Sequence, residues 1–278
     1  MDPFPEKKGD YVANALGQML NAPLIYVLAQ IRFSHVPRMD KRWEDFHEKV
    51  FESYPKAETE RIEQVGFKDG QAVIGDSIQR WHIKNDSCRT GMIVAADSLT
   101  FHTTEYETSR VFTSELEKVL QAFVNTLPDG VRVTRQGFRY VDLLQHEKGL
   151  TVDKQVIETL RLPNLAAIGE PRRMEQLVIY ETPVGGTLIM RHRQSATQDL
   201  LPADIFPTKL ESAPRLRRER LENQIAGLLD YDHYVEQEQP FEIDKIVEQF
   251  RKLHTVSSEA FINTTTEEAR AVWQKESN

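Results

Sequence analysis

The sequence predicts an α+β protein built on antiparallel sheet with helical cover. Residues 131–144 (VRVTRQGFRYVDLL) read as a long strand with strict alternation, since successive residues of a strand point to opposite faces. Two segments, from about 41 to 54 and from about 110 to 126, carry apolar residues at helical spacing between strand-like runs. Pro183-Val184-Gly185-Gly186 sits between two β-rich runs and reads as a hairpin turn.

In chain order, residues 1–22 read as an N-terminal arm with a short helical stretch near 11–20. Leu24 opens an apolar, β-branched strand that ends before Pro37. Asp40 caps a helix with Trp43, Phe46, Val50 and Phe51 on one face, and Pro55 stops it. A polar stretch follows. Residues 71–84 and 92–102 read as two strands joined by a turn over 85–91. Thr108 or Ser109 caps the second helix, with Phe112, Leu116, Val119, Leu120 and Phe123 on its apolar face. Pro128-Asp129-Gly130 then turns the chain into the 131–144 strand.

Strand, helix, strand, strand, helix, strand is the ferredoxin-like order, so residues 23–148 are expected to form one such unit. Residues 149–278 are expected to form a second α+β unit, giving two antiparallel-sheet layers. Its elements are a short helix at 152–160, the hairpin at 176–194, a strand at 221–236 with Gly227 as a bulge, a helix at 243–261 and a last helix reaching about Lys275. The prolines at 202, 207 and 214 and a basic run make 196–220 a long loop.

The chain has 278 residues, a single cysteine (Cys88) and a net charge of -8. No internal disulfide can form. No apolar run approaches the length that spans a bilayer, and the N-terminus lacks an apolar leader, so a cytoplasmic location without a membrane partner is expected. The negative charge argues against a general nucleic-acid-binding surface. There is no G-x-S-x-G elbow, Walker A loop or dinucleotide fingerprint, and too few ligands for a zinc site, so neither catalytic residues nor a metal or cofactor is expected.

A set of pieces in order adds to this reading. They are Asn21-Ala22-Pro23-Leu24 before a strand ending Ile31-Arg32-Phe33, Trp81, Ser98-Leu99-Thr100-Phe101 before Tyr106, Arg135-Gln136-Gly137-Phe138-Arg139-Tyr140, Leu229-Asp230-Tyr231-Asp232-His233, and a helix with Phe261 followed by a Thr-rich cap and Trp273. Together they resemble a sporadically distributed family of bacterial proteins with no assigned biochemical role. The resemblance spans most of the chain, departs at the Pro- and Arg-rich loop, and supplies no catalytic residues. It implies a gene of mobile loci, of the toxin–antitoxin or phage-defence kind.

Arg135 and Arg139 flank Gly137 on an otherwise apolar strand face. Guanidinium groups there need acidic partners, from this chain or from a ligand. Their arms could converge over Gly137 on an anion; the preferred internal partners are Asp230 and Asp232, which would tie the two halves together. Arg172, Arg173, Arg191, Arg193, Arg215, Arg217, Arg218 and Arg220 are the candidate surface for a partner or a nucleic acid. The expected role is a non-enzymatic binding or adaptor protein whose partner is another protein. A nucleic-acid-binding module and a sensor holding an anion at Arg135 and Arg139 are the alternatives.

Overall fold

The structure is a computed structural model. It describes residues 19, 21–68, 71–163, 165, 167–169, 171–196, 200–206, 208–217 and 225–274, with the backbone alone at 64–68, 71–76 and 217. The predicted helix at 11–20 therefore falls almost wholly outside the described residues.

The strands are β1 (Leu24–Phe33), β2 (Lys56–Lys68), β3 (Gln71–Lys84), β4 (Thr90–Ala95), β5 (Ser98–Thr103), β6 (Arg132–Leu144), β7 (Arg173–Glu181), β8 (Thr187–Ser195) and β9 (Ala226–Pro240). The α-helices are α1 (Met39–Val50), α2 (Ser109–Val124), α3 (Val152–Gln155), α4 (Ile243–Thr264) and α5 (Glu267–Gln274). The fold is α+β, and the nine strands among the described residues form a single antiparallel sheet in the order β2-β3-β4-β5-β1-β6-β9-β8-β7. The two expected units thus share one sheet instead of forming two layers. They meet at the long β6–β9 ladder, which leaves no boundary in the sheet between residues 148 and 149. Outward from the β1–β6 seam the order is β1-β5-β4-β3 on one side and β6-β9-β8-β7 on the other. The stretches that begin with β1 and with β6 each run strand, helix, meander, long helix.

Two elements differ from the sequence expectation for local reasons. The polar stretch after α1 is β2, whose charged residues (KAETERIEQ) suit a solvated edge strand and hide its strand pattern. The predicted strand 92–102 is two strands folded about Ala96-Asp97. Gly227 makes no bulge. A Cβ there would stand 2.8 Å from Val152 Cγ1 and 3.3 Å from Leu144 Cβ, so α3 packs directly on β9. Gly227→Ala is expected to cost about 1–3 kcal/mol through overpacking, read as a lowered urea midpoint with unchanged slope.

Helices α1, α2 and α4 lie side by side on one face of the sheet. Thr108 caps α2 by accepting from the Val111 N–H at 3.2 Å. The main core fills this interface: Phe46, Phe123, Phe101, Phe138, Phe250 and Trp273 are all fully buried. Trp43 of α1 stacks on Trp81 of β3 with ring centroids 5.7 Å apart. The even-numbered residues of β6 face the helices, so Phe138 meets Phe112 and Phe250, and Gln136 donates to the Ile246 carbonyl at 3.0 Å.

The opposite face has a cover that the sequence did not reveal. Leu200, Leu210 and Ala213 of the Pro-rich segment form a second core with Ile25, Tyr26, Val141, Leu143 and Leu228. Phe206 meets Tyr26 edge-on, with centroids 5.6 Å apart. The described part of the predicted loop is therefore a strap laid across the sheet. Among the described residues, no helix is long and apolar enough to cross a membrane.

Candidate functional site

Arg139 lies on the strap side of β6 and points to Asp230 across the β6–β9 ladder. Its Nε donates to Asp230 Oδ1 at 2.7 Å and its Nη2 to Asp230 Oδ2 at 2.8 Å. Its Nη1 donates to Asp204 of the strap at 2.5 Å. Arg191 of β8 approaches the other side of Asp230, with Nη1 3.4 Å from Oδ2. Burial works against the Arg139 charge, but its hydrogen bonds to Asp230 and then to Asp204 outweigh it and hold the guanidinium pKa above its usual value. Asp204 responds in kind: burial opposes its charge, but Arg139 pulls its pKa below the usual carboxylate value. This is a saturated ion network joining both halves and the strap. Its donors are already spent on carboxylates, which removes Arg139 from any anion site.

Arg135 lies on the same face without a close carboxylate. Its guanidinium lies over Gly137, where a Cβ would stand 3.0 Å from Nη1, and its Cζ lies 4.1 Å from the centre of the Tyr234 ring. Gly137 thus makes room for a flat cation on an aromatic ring. Nη1 donates to Gln30 Oε1 at 3.3 Å. Asp232 and Glu236 are each 4.0 Å away. At that distance burial dominates both partners, lowering the Arg135 pKa and raising that of Asp232. The two arginines do not converge on a common point.

Among the remaining arginines, four of the described ones are paired with acids. Arg173 and Arg193 both engage Glu175, and Arg191 is spent on Asp230. Arg215 is buried, donating to Glu147 at 3.0 Å and to the Asn21 carbonyl at 2.9 Å, so it anchors the strap. Arg172 is exposed. The Arg217 side chain, Arg218 and Arg220 lie outside the described residues.

Three of the strand histidines are engaged locally, whereas His192 is fully buried with neither ring nitrogen hydrogen-bonded among the described residues. His82 pairs with Glu60 at 3.0 Å and His102 with Tyr26 at 2.7 Å, while His233 bonds the Leu253 carbonyl and Thr182. Among the described residues no three potential metal ligands cluster.

Two features were not singled out from sequence. The first is a cavity of about 540 Å³ on the helix face, between β6, β9 and the helices α2 and α4. Asp142 of β6 lines it with Tyr140, Tyr231, His254 and Ser257. The Tyr140 hydroxyl is bonded to His254 Nδ1 at 2.5 Å and lies 3.2 Å from the Tyr106 hydroxyl. Burial lowers the His254 pKa to about 4, so the ring is neutral. It also pushes the Asp142 carboxyl up to about 8, with Arg215 pulling it down and Asp230 pushing it up by smaller amounts. The sequence signal was Asp142 itself, an acid in the helix-facing set Gln136, Phe138, Tyr140, Asp142, Leu144.

The second feature is β7. Among the described residues it ends the sheet and exposes Leu177, Val178, Ile179 and Tyr180. Beside it, a groove of about 730 Å³ runs between Val178 and Tyr180 of the strand and Val256, Ala260 and Asn263 of α4. The sequence identified the hairpin but could not say which strand lacked a neighbour.

No protein-family model matches the chain, and no curated protein matches it.

Proposed function

We propose that this chain is a non-enzymatic binding or adaptor protein that recruits another protein by strand addition to β7. The observation that carries this reading is the apolar run Leu177-Val178-Ile179-Tyr180 on an end strand, beside an apolar groove. An uncovered edge of this kind is a template for another strand. The other end strand, β2, carries Glu58, Glu60, Arg61 and Glu63 and is blunted by charge.

The occupant is a segment of a different protein and not a second copy. In the antiparallel self-pairing that matches the apolar residues (Leu177 with Ile179, Val178 with itself), Glu175 falls opposite Glu181 at both ends. Centring on Leu177 instead sets Glu175 against Ile179 and Gln176 against Val178. Like charges directly opposite, or a carboxylate against an apolar side chain, disfavour each arrangement. The fitting partner is an extended segment with an apolar centre and basic residues facing Glu181 and Glu175.

The wider setting belongs to the same proposal. Membership of the sporadic bacterial family, a mobile-locus role of the toxin–antitoxin or phage-defence kind, and a cytoplasmic location rest on the sequence resemblance and on the lone cysteine. The ferredoxin-like reading of the first half is supported by the spatial order β6-β1-β5-β4, with α1 after β1 and α2 between β5 and β6.

Affinity capture from the native host should be run in parallel with wild type and with Leu177→Lys/Ile179→Lys. Both side chains are exposed, so folding should be unchanged. A partner that protects 173–181 from hydrogen exchange and binds the variant at least tenfold more weakly, a loss of about 1.4 kcal/mol or more, is the expected result. A partner retained equally by both proteins refutes the proposal. Self-association lost in the variant would refute the choice of partner and assign the edge to a second copy.

A further inference from the structure

We infer that the cavity between β6, β9, α2 and α4 binds a small organic cation, a primary amine or a guanidinium, with Asp142 as its counter-ion. This goes beyond the protein-binding role, which uses the other side of α4.

Asp142 is 4 % exposed and lines the cavity, and no hydrogen bond to its carboxyl is made by the described residues. A carboxyl taken largely out of water with no protein donor on it favours a cationic partner. Among the described residues, the two arginines nearest this cavity have other settings. Arg215 is held by Glu147 and the Asn21 carbonyl, and Arg110 sits exposed at the rim beside Glu107. An entering ammonium or guanidinium would supply the missing partner.

The rest of the lining suits such a guest. Tyr106, Tyr140, Tyr231 and Phe261 offer aromatic faces, which attract cations once water is excluded. Ser257 and Ser258 provide hydroxyl acceptors for further N–H groups. The volume of about 540 Å³ lies within the range of small-molecule sites and exceeds what a water cluster needs.

The charge balance is explicit. In the empty site the Asp142 carboxyl holds its proton at neutral pH, since burial raises its pKa to about 8. On binding, the carboxyl O–H bond breaks, the proton leaves to solvent, and a carboxylate–ammonium pair forms. The other titratable groups facing Asp142 do not take up that proton. Tyr106, Tyr140 and Tyr231 have raised pKa values and stay neutral, and His254 is held neutral with its pKa lowered to about 4. Arg215 and Asp230 are the remaining charges that reach Asp142, and they act on it in opposite directions.

The test is calorimetric titration of the full chain at pH 7 with agmatine, putrescine and spermidine, each in phosphate and in HEPES. Binding of at least one probe, with release of close to one proton per site, is expected. Asp142→Asn keeps the size and neutrality of the protonated carboxyl, so it should fold. It should bind the same probe at least tenfold more weakly and release no proton. The Asp142 carboxyl carbon, followed by NMR in the wild type, should move to its ionised shift as agmatine or the best probe is added. Failure of all three amines to bind at millimolar concentration overturns the inference. So does binding without proton release, or equal binding by the variant.

Discussion

Truncating Asp230 to alanine is expected to destabilise the protein by about 3–5 kcal/mol, the usual cost of stranding a buried charge. Asp230 is fully buried and accepts from Arg139 through both oxygens, with Arg191 sharing Oδ2. Its loss leaves two guanidinium groups facing each other between β6 and β8. Asp204 remains, but its side chain is 65 % exposed and is a poor substitute. Removing Asp204 alone should therefore cost no more than about 1 kcal/mol. Urea unfolding of the two alanine variants separates these cases. The double variant Arg139→Met/Asp230→Leu should recover much of the loss, because a well-packed apolar pair avoids the desolvation of both ions. Equal, small effects of Asp230→Ala and Asp204→Ala would show that the network is not a buried one.

Asp142→Asn is expected to do the opposite and stabilise the protein, by an amount that grows with pH. The Asp142 carboxyl has its pKa raised from 3.8 to about 8 by burial. Between those values the unfolded chain has lost the proton that the folded chain still holds. Stability contributed by the neutral carboxyl is thus complete below pH 3.8 and declines as pH rises through the window, by up to about 1.4 kcal/mol per unit. Asparagine does not titrate, so its advantage should build from about pH 4 and level off above pH 8. The acid side of the profile should be common to both proteins. There His254 and His192, with pKa values lowered to about 4 by burial, cost stability as pH falls below 6.5 and the unfolded chain takes up protons first. Urea midpoints at pH 4.5, 6, 7.5 and 8.5 test this. Parallel curves for wild type and variant would mean that Asp142 is solvated.

Much of the fold is legible in the chain because it is written at short range. Alternation in β6, helical spacing in α2 and α4, Thr108 as a cap and the Pro183–Gly186 turn each depend on a few neighbouring residues. The pairing of Arg139 with Asp230 was also within reach, since an arginine on an apolar strand face demands an acid and only a few strand acids were available. The Pro-rich segment looked like a contact loop because its apolar residues, Leu200, Leu210 and Ala213, lack any period.

What the amino-acid order by itself established was the class of each segment and the need of particular charges for partners. Both follow from local sterics and from the energy of burying single groups. Only the tertiary arrangement decided that two units share one sheet, that the strap covers its second face, that β7 is the bare end, and that Asp142 lines a cavity. Those outcomes depend on contacts between residues far apart in the chain, where many pairings satisfy the same local pattern and packing selects among them.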